Sequence, residues 1–297
     1  MKRPTPMKIA VASGKGGTGK TTVATSLVLS RTGRPPCLAD CDVEAPNAHL
    51  FFKLTKTLQE TIHKPIPAVI ADACTYCGKC AEVCEFHAIS IFNRPILAQQ
   101  SVMILPNLCH SCGACSYICP EKAIIEQPTP IGRLQTYQTA EGVMIVSGEM
   151  QIGTAMPVPV IKAVQKEIHR HQEGCEAIIY DAPPGNSCSV VETMKQSDFV
   201  VLVTEPTPFG LHDLKLIIKL TQQLGKPTGI VINRDGIGND AVENFAQQNN
   251  IPIILKIPYS PETARQLAQG KPLIKQSGDW QPKFEQVFRH ITQELNK

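Results

Sequence analysis

Residues 7–22 read MKIAVASGKGGTGKTT, and this stretch limits the possible folds more sharply than any other. Residues 9–12 are a short apolar run suited to a buried strand, and residues 23–29 form an apolar helical run. Between them come Gly14, Gly16, Gly17 and Gly19, then Lys20, Thr21 and Thr22. From Gly14 to Thr21 the chain satisfies G-x-x-x-x-G-K-[ST] in full, with Thr18 among its variable positions. Glycines lack the Cβ atoms that would keep backbone N–H groups from converging on one anion. The helix start adds a partial positive charge. Lys20 supplies a point charge for the β- and γ-phosphates, and the Thr21 hydroxyl is placed to ligate Mg²⁺. Strand, turn and helix together make a nucleotide site.

Composition matters here mainly through cysteine. The chain has 297 residues, enough for one large domain or two, and its 42% hydrophobic and 19% charged content is that of a globular protein. A net charge of +3 without a Lys/Arg block gives no nucleic-acid footprint. No run is long enough to span a membrane, and no secretory signal is evident, so a cytoplasmic location is expected. In that setting the twelve cysteines argue for metal rather than disulfides. Eight of the twelve fall between Cys74 and Cys119.

Those eight form two copies of one unit, repeated every 35 residues. The first is Cys74-x2-Cys77-x2-Cys80-x3-Cys84 and the second Cys109-x2-Cys112-x2-Cys115-x3-Cys119-Pro120. Gly78 and Gly113 follow each second cysteine, and His87-Ala88-Ile89 matches Lys122-Ala123-Ile124. This is the pattern of a two-cluster bacterial ferredoxin, in which the fourth cysteine of each run serves the other cluster. One [4Fe–4S] cluster is therefore expected on Cys74, Cys77, Cys80 and Cys119, the other on Cys109, Cys112, Cys115 and Cys84. A zinc site would need C-x2-C pairs with a longer spacer. Glu85 replaces the proline found at 120, which leaves the ligands intact but alters the backbone near one cluster. An electron-transfer wire is the natural use of two adjacent cubanes; a structural role is the alternative.

Two further strand ends carry acids. Residues 37–40 form a strand ending at Asp40, followed by Cys41 and Asp42, a pair suited to Mg²⁺ and water. Capping of the following turn is the competing role for Asp40. Residues 177–181 are an apolar run ending in Asp181, a Walker B pattern, and Ala182-Pro183-Pro184-Gly185 follows. Asp181 is expected to hold Mg²⁺ through water, with the Gly185 N–H offered to the γ-phosphate. Residues 134–139 and 142–146 alternate like a hairpin. Later strands at 199–204, 229–232 and 251–255 alternate with helices at 158–171, 211–224 and 241–249, which implies a parallel sheet covered on both faces. A last helix at 283–295 has one apolar face and a mixed-sign polar face, fitting packing on the body better than membrane binding. Cys37 and Cys175 read as buried small hydrophobes.

Lys15, early in the loop, completes K-G-G-x-G-K-T and resembles the deviant P-loop of the MinD/ParA/Mrp and nitrogenase iron-protein superfamily. The resemblance covers nearly the whole chain. It implies an α/β fold, a doubly wound, mostly parallel sheet, with a small α+β ferredoxin domain inserted: residues 1–62 and 130–297 for the ATPase, 63–129 for the insert. It implies that Lys15 reaches the nucleotide of a partner subunit in an ATP-dependent homodimer, or in a heterodimer with a paralogue. Asp42 would orient the attacking water, making Lys15, Lys20 and Asp42 the catalytic set. Asn233 would read the adenine edge, with Pro258 bordering the base. Cys188 has the offset of the cluster-bridging cysteine of the nitrogenase relative, but the second cysteine that relative needs is missing between Cys119 and Cys175. Three functions are consistent with these features. They are ATP-gated electron transfer to a protein partner, iron–sulfur carriage to an acceptor protein, and MinD-like spatial organisation with the clusters as redox sensor.

Overall fold

Strand β1 (Met7–Ala12) runs into helix α1 (Lys20–Leu29) through the glycine-rich turn, and β2 (Cys37–Asp40) follows. The computed structural model describes residues 5–31, 33–94, 99–276 and 278–297. The expected N-terminal extension at 1–6 and the turn at 32–36 lie partly outside the described residues. Next come β3 (Leu54–Val69), α2 (Lys79–Glu82), β4 (Ile89–Arg94), β5 (Gln99–Ile104), α3 (Ala114–Ile118), β6 (Ile124–Thr139) and β7 (Met144–Met150). The remainder alternates: α4 (Val158–Arg170), β8 (Ala177–Asp181), α5 (Cys188–Lys195), β9 (Phe199–Thr204), α6 (Pro208–Gln223), β10 (Thr228–Asp235), α7 (Ala241–Gln248), β11 (Ile253–Pro258), α8 (Pro261–Ala268) and α9 (Trp280–Leu295).

Among the described residues a nine-stranded sheet has the order β11-β10-β9-β1-β8-β2-β7-β6-β3. Pairing is parallel at every step from β11 to β7. This is the α/β architecture with a large, mostly parallel sheet that the alternation implied. Both faces of the central strands are covered, so β1, β8 and β9 are continuous apolar runs and not alternating ones. The register places Asp40 beside Asp181 and Val11 beside Asp181. Three strand ends that carry chemistry therefore meet at one carboxyl edge, where ligands of open α/β sheets bind.

The final helix settles on this core. Trp280, Phe284, Val287, Phe288 and Ile291 of α9 are buried together with Ile9, Leu27, Leu38 and Ile179. No helix among the described residues is long and apolar enough to cross a membrane.

One expectation needs correcting. Cys37 and Cys175 are buried as expected, but they are joined as a disulfide, against the expectation that the cysteines serve metal rather than disulfides. Cys37 opens β2 and Cys175 lies just before β8; these strands are parallel neighbours, which brings the Cα atoms to 5.7 Å, a normal bridging distance. Strand β3 contains Pro65 and Pro67, which interrupt an alternating strand pattern. It lies at the end of the strand order, where a missing N–H is tolerated.

The chain divides into two compact units: residues 1–60, 134–149 and 160–297 in one, and residues 61–133 with 150–159 in the other. The smaller unit contains the antiparallel pair β4–β5, with Ile89 facing Ile104, and the short helices α2 and α3. Its two halves repeat each other in backbone detail. Tyr76 and Ser111 both take positive φ (54° and 55°), as do His87 and Lys122 (50° each). Ile70 N–H donates to Ala123 O at 2.8 Å, and its counterpart Leu105 N–H donates to Ala88 O at 2.8 Å.

Phe284 has no exposed surface and sits among apolar side chains of both helix and sheet. Phe284→Ala should lower unfolding free energy by about 3–5 kcal/mol in urea titrations. A loss below 1 kcal/mol would show that α9 is not part of the cooperative core.

Candidate functional site

The larger unit carries a phosphate cradle at the end of β1. Gly17 and Gly19 adopt positive φ (78° and 95°), and Gly19 stands at the N-terminus of α1. A Cβ on Gly14 would lie 2.4 Å from the backbone oxygen of Asp213, so only glycine fits there. The Asn233 side-chain amide donates to Thr18 O at 2.8 Å and ties the loop to β10. Lys20 and Thr18 are buried, Thr21 and Thr22 half-buried, and Gly16 exposed. The Thr18 hydroxyl has no hydrogen-bond partner in its buried position.

Two buried carboxylates face this loop. Asp40 accepts N–H bonds from Asn47 and Ala48 (3.0 Å each) and from Asp42 (3.2 Å). Its oxygens therefore brace the loop after β2, the turn-capping role weighed against metal binding. Asp181 has no exposed surface, and neither of its oxygens has a hydrogen-bond partner at normal geometry. Burial lifts the Asp40 carboxyl well above the usual carboxylate range, and adjacent Asp181 reinforces the rise. Burial likewise pushes Asp181 up to about 7, partly offset by the Thr21 hydroxyl and the Lys20 ammonium. Asp42 is raised by burial and drawn back by Lys20. An orphaned buried carboxylate beside Thr21 fits a Mg²⁺ ion, and the cradle fits a polyphosphate.

Two expected contacts are engaged differently. The Gly185 N–H donates to Ser13 O at 3.0 Å. Lys15 forms an ion pair of 3.0 Å with Glu205, a nearly buried residue that also meets Arg234 at 2.7 Å. Glu205 escaped the sequence reading; only its position just after β9 could have marked it. Beside the loop, a cavity of about 590 Å³ of atom-free space, open mouth included, is lined by Gly19, Thr22, Asn233, Pro258, Tyr259 and Leu267. Asn233 and Pro258 thus border one cavity, although the Asn233 amide is occupied by Thr18 O.

In the smaller unit the eight clustered cysteines sort into two hollows. One is lined by Cys74, Cys77, Cys80 and Cys119, the other by Cys84, Cys109, Cys112 and Cys115. Each holds three cysteines of one run and the fourth of the other. The hollows enclose about 370 and 380 Å³ of atom-free space, so they are equivalent in size. Ala88 N–H donates to Cys84 Sγ at 3.3 Å and Ala123 N–H to Cys119 Sγ at 3.2 Å, the same bond in both halves. Burial raises the Cys80 and Cys115 thiols. Among the described residues no three His, Cys, Asp or Glu side chains converge on a single ion. A cubane, with a separate iron for each sulfur, instead requires thiols spread around a hollow, and this donor set fits it. Cys188 is exposed at the start of α5, and Cys41 is buried with its thiol pushed up by burial.

A model of the CobQ/CobB/MinD/ParA nucleotide binding domain matches residues 9–273. The chain belongs to this family. An uncharacterized protein of Methanocaldococcus jannaschii is 34% identical over 236 residues, covering 78% of this chain and 80% of its own. The iron-sulfur cluster carrier protein of Aquifex aeolicus is 22% identical over 284 residues, covering 90% of this chain and 61% of its own. The septum site-determining protein MinD of Pyrococcus horikoshii, complexed with Mg-ADP, shares the fold at a TM-score of 0.54 and 20% identity, covering 98% of this chain and 96% of that one. The glycine-rich loop at Gly14–Thr22 lies within the matched segment.

Asp181 also sets a pH dependence. Its pKa is higher in the folded chain (about 7) than the ordinary 3.8, so the folded state holds the extra proton between those values. Stability of the nucleotide-free protein should therefore fall as pH rises through that window. Asp181→Asn should flatten the fall by about 2 kcal/mol between pH 5 and 8, read from urea unfolding at each pH. Equal slopes for both proteins would mean the carboxyl titrates normally.

Proposed function

We propose that this chain is an ATP-dependent dimeric switch carrying two [4Fe–4S] clusters, and that it passes electrons to a protein partner under control of the nucleotide. The observation that carries the reading is the sorting of eight cysteines into two hollows, each completed by the fourth cysteine of the other run. The smaller unit is then a ferredoxin domain, with Cys74, Cys77, Cys80 and Cys119 holding one cluster and Cys84, Cys109, Cys112 and Cys115 the other. Such clusters supply one-electron chemistry when bound.

On the nucleotide side, backbone N–H groups from Gly16 to Thr22 bind the phosphates and Lys20 neutralises the β/γ-oxygens. Thr21 and Asp181 take the Mg²⁺, and Asp42 holds the attacking water; Asp40 keeps the loop that carries Asp42 in place. Two changes accompany nucleotide binding in this scheme. Gly185 exchanges Ser13 O for a phosphate oxygen, and Lys15 leaves Glu205 to reach the nucleotide of the second subunit. Because the chain enters the smaller unit soon after the Asp42 loop, movement there is transmitted along β3.

Similarity to an iron–sulfur cluster carrier supports a second reading, delivery of a cluster to an acceptor protein. Chemical analysis and transfer kinetics separate the two. Protein purified anaerobically should hold about eight irons per chain. Its rate of electron transfer to an acceptor should change on adding a non-hydrolysable ATP analogue, with the clusters retained. Loss of iron to an apo-acceptor at the pace of ATP turnover would favour carriage. No change in rate or potential with nucleotide would defeat gating.

A further inference from the structure

The two hollows are alike in their cysteines and unlike in what lies beside them. Lys64, in β3, is only 6% exposed. Its ammonium donates to Cys109 O at 2.9 Å, to Pro106 O at 3.3 Å and to Met156 Sδ at 3.5 Å. All three ammonium protons are thus directed at neutral acceptors. Among the described residues no carboxylate lies within 4.0 Å of this nitrogen, since every ion pair found there involves other residues. A buried cation without a counter-ion is rare, because leaving water must be offset by opposite charge. Here the cation is bonded to the backbone of Cys109, whose side chain lines the second hollow. Four thiolates around a [4Fe–4S]²⁺ core carry a net charge of −2, which is the missing counter-charge.

Among the described residues no buried Lys or Arg lines the first hollow. One repeat length on from Lys64 stands Gln99, an uncharged residue. Lys79 and Glu121 line the first hollow, and His110 and Glu126 the second, but all four are solvent-exposed and so screened. The second hollow is further covered by the stacked rings of Phe86 and His110, 3.6 Å between centroids. The repeat places Glu121 and Thr75 at the corresponding positions of the first hollow.

We propose that Lys64 is the buried counter-ion of the cluster on Cys84, Cys109, Cys112 and Cys115, and makes it the more easily reduced of the two. This rests on the cluster reading above. Reduction adds one electron, taking the core from 2+ to 1+; no bond forms or breaks, and Lys64 keeps its protons. The extra negative charge is stabilised by the nearby ammonium, so an electron reaching either cluster collects at the second. Lys64 is a positioning residue for charge, not a ligand.

The test is an anaerobic dithionite titration of the full-length protein, followed by absorbance and electron paramagnetic resonance. Wild type should show two one-electron steps. Lys64→Met should shift the upper step downward, by at least about tenfold in the electron's partition (59 mV for one electron), with the lower step unmoved. Lys64→Arg should keep the wild-type pattern. A Lys64→Met protein with full iron and wild-type potentials would overturn the proposal, as would an equal shift of both steps. Should Lys64→Met fail to load, the assignment is read from single ligand changes with Lys64 intact. Cys112→Ser should alter the upper step and Cys77→Ser the lower, and the reverse result overturns it. A wild-type protein without iron would instead defeat the cluster reading itself.

Discussion

Two acids buried side by side govern the larger unit. Asp40 and Asp181 face each other across neighbouring strands with no exposed surface. Burial raises both carboxyls, and a neighbouring like charge adds to each rise, Asp181 acting on Asp40 and Asp42 on Asp181. Asp40 is stabilised by three loop amides, whereas Asp181 is left with unpaired oxygens. Buried and without hydrogen-bond partners, the Asp181 oxygens are the ones in this pair suited to a cation. Loop geometry and charge are coupled here, since the amides that hold Asp40 also set where Asp42 stands.

In the smaller unit, chain duplication does most of the structural work. Matching positive-φ residues and matching N–H···S bonds recur at a fixed spacing, so each half builds the same arch around three of its own cysteines. The fourth cysteine belongs to the opposite hollow, which makes neither half complete without the other. Duplication copies backbone shape but not charge. Lys64, Phe86 and His110 are replaced by Gln99, Glu121 and Thr75 at the positions one repeat away.

Much of this was legible from residue order because the signals are local. A glycine loop between an apolar strand and a helix reports itself, since its function depends on backbone conformation over a few residues. The cysteine runs do the same through spacing. Asn233 shows where local reading fell short: its place at a strand end is evident, yet its amide is spent on Thr18 O, more than two hundred residues earlier. The Cys37–Cys175 bond is hidden from local reading for a similar reason, as the two cysteines are 138 residues apart and only strand order makes them neighbours.

Residue order by itself settled the loop, the acids at the strand ends, the alternation that makes a parallel sheet and the division of eight cysteines into two runs. These depend on interactions within one turn or one strand. Tertiary structure alone decided which groups are occupied: Gly185 by Ser13, Lys15 by Glu205, Asp40 by its own loop, Lys64 by carbonyls beside Cys109. Occupancy is a matter of distance between segments remote in sequence, and only the packed chain fixes those distances.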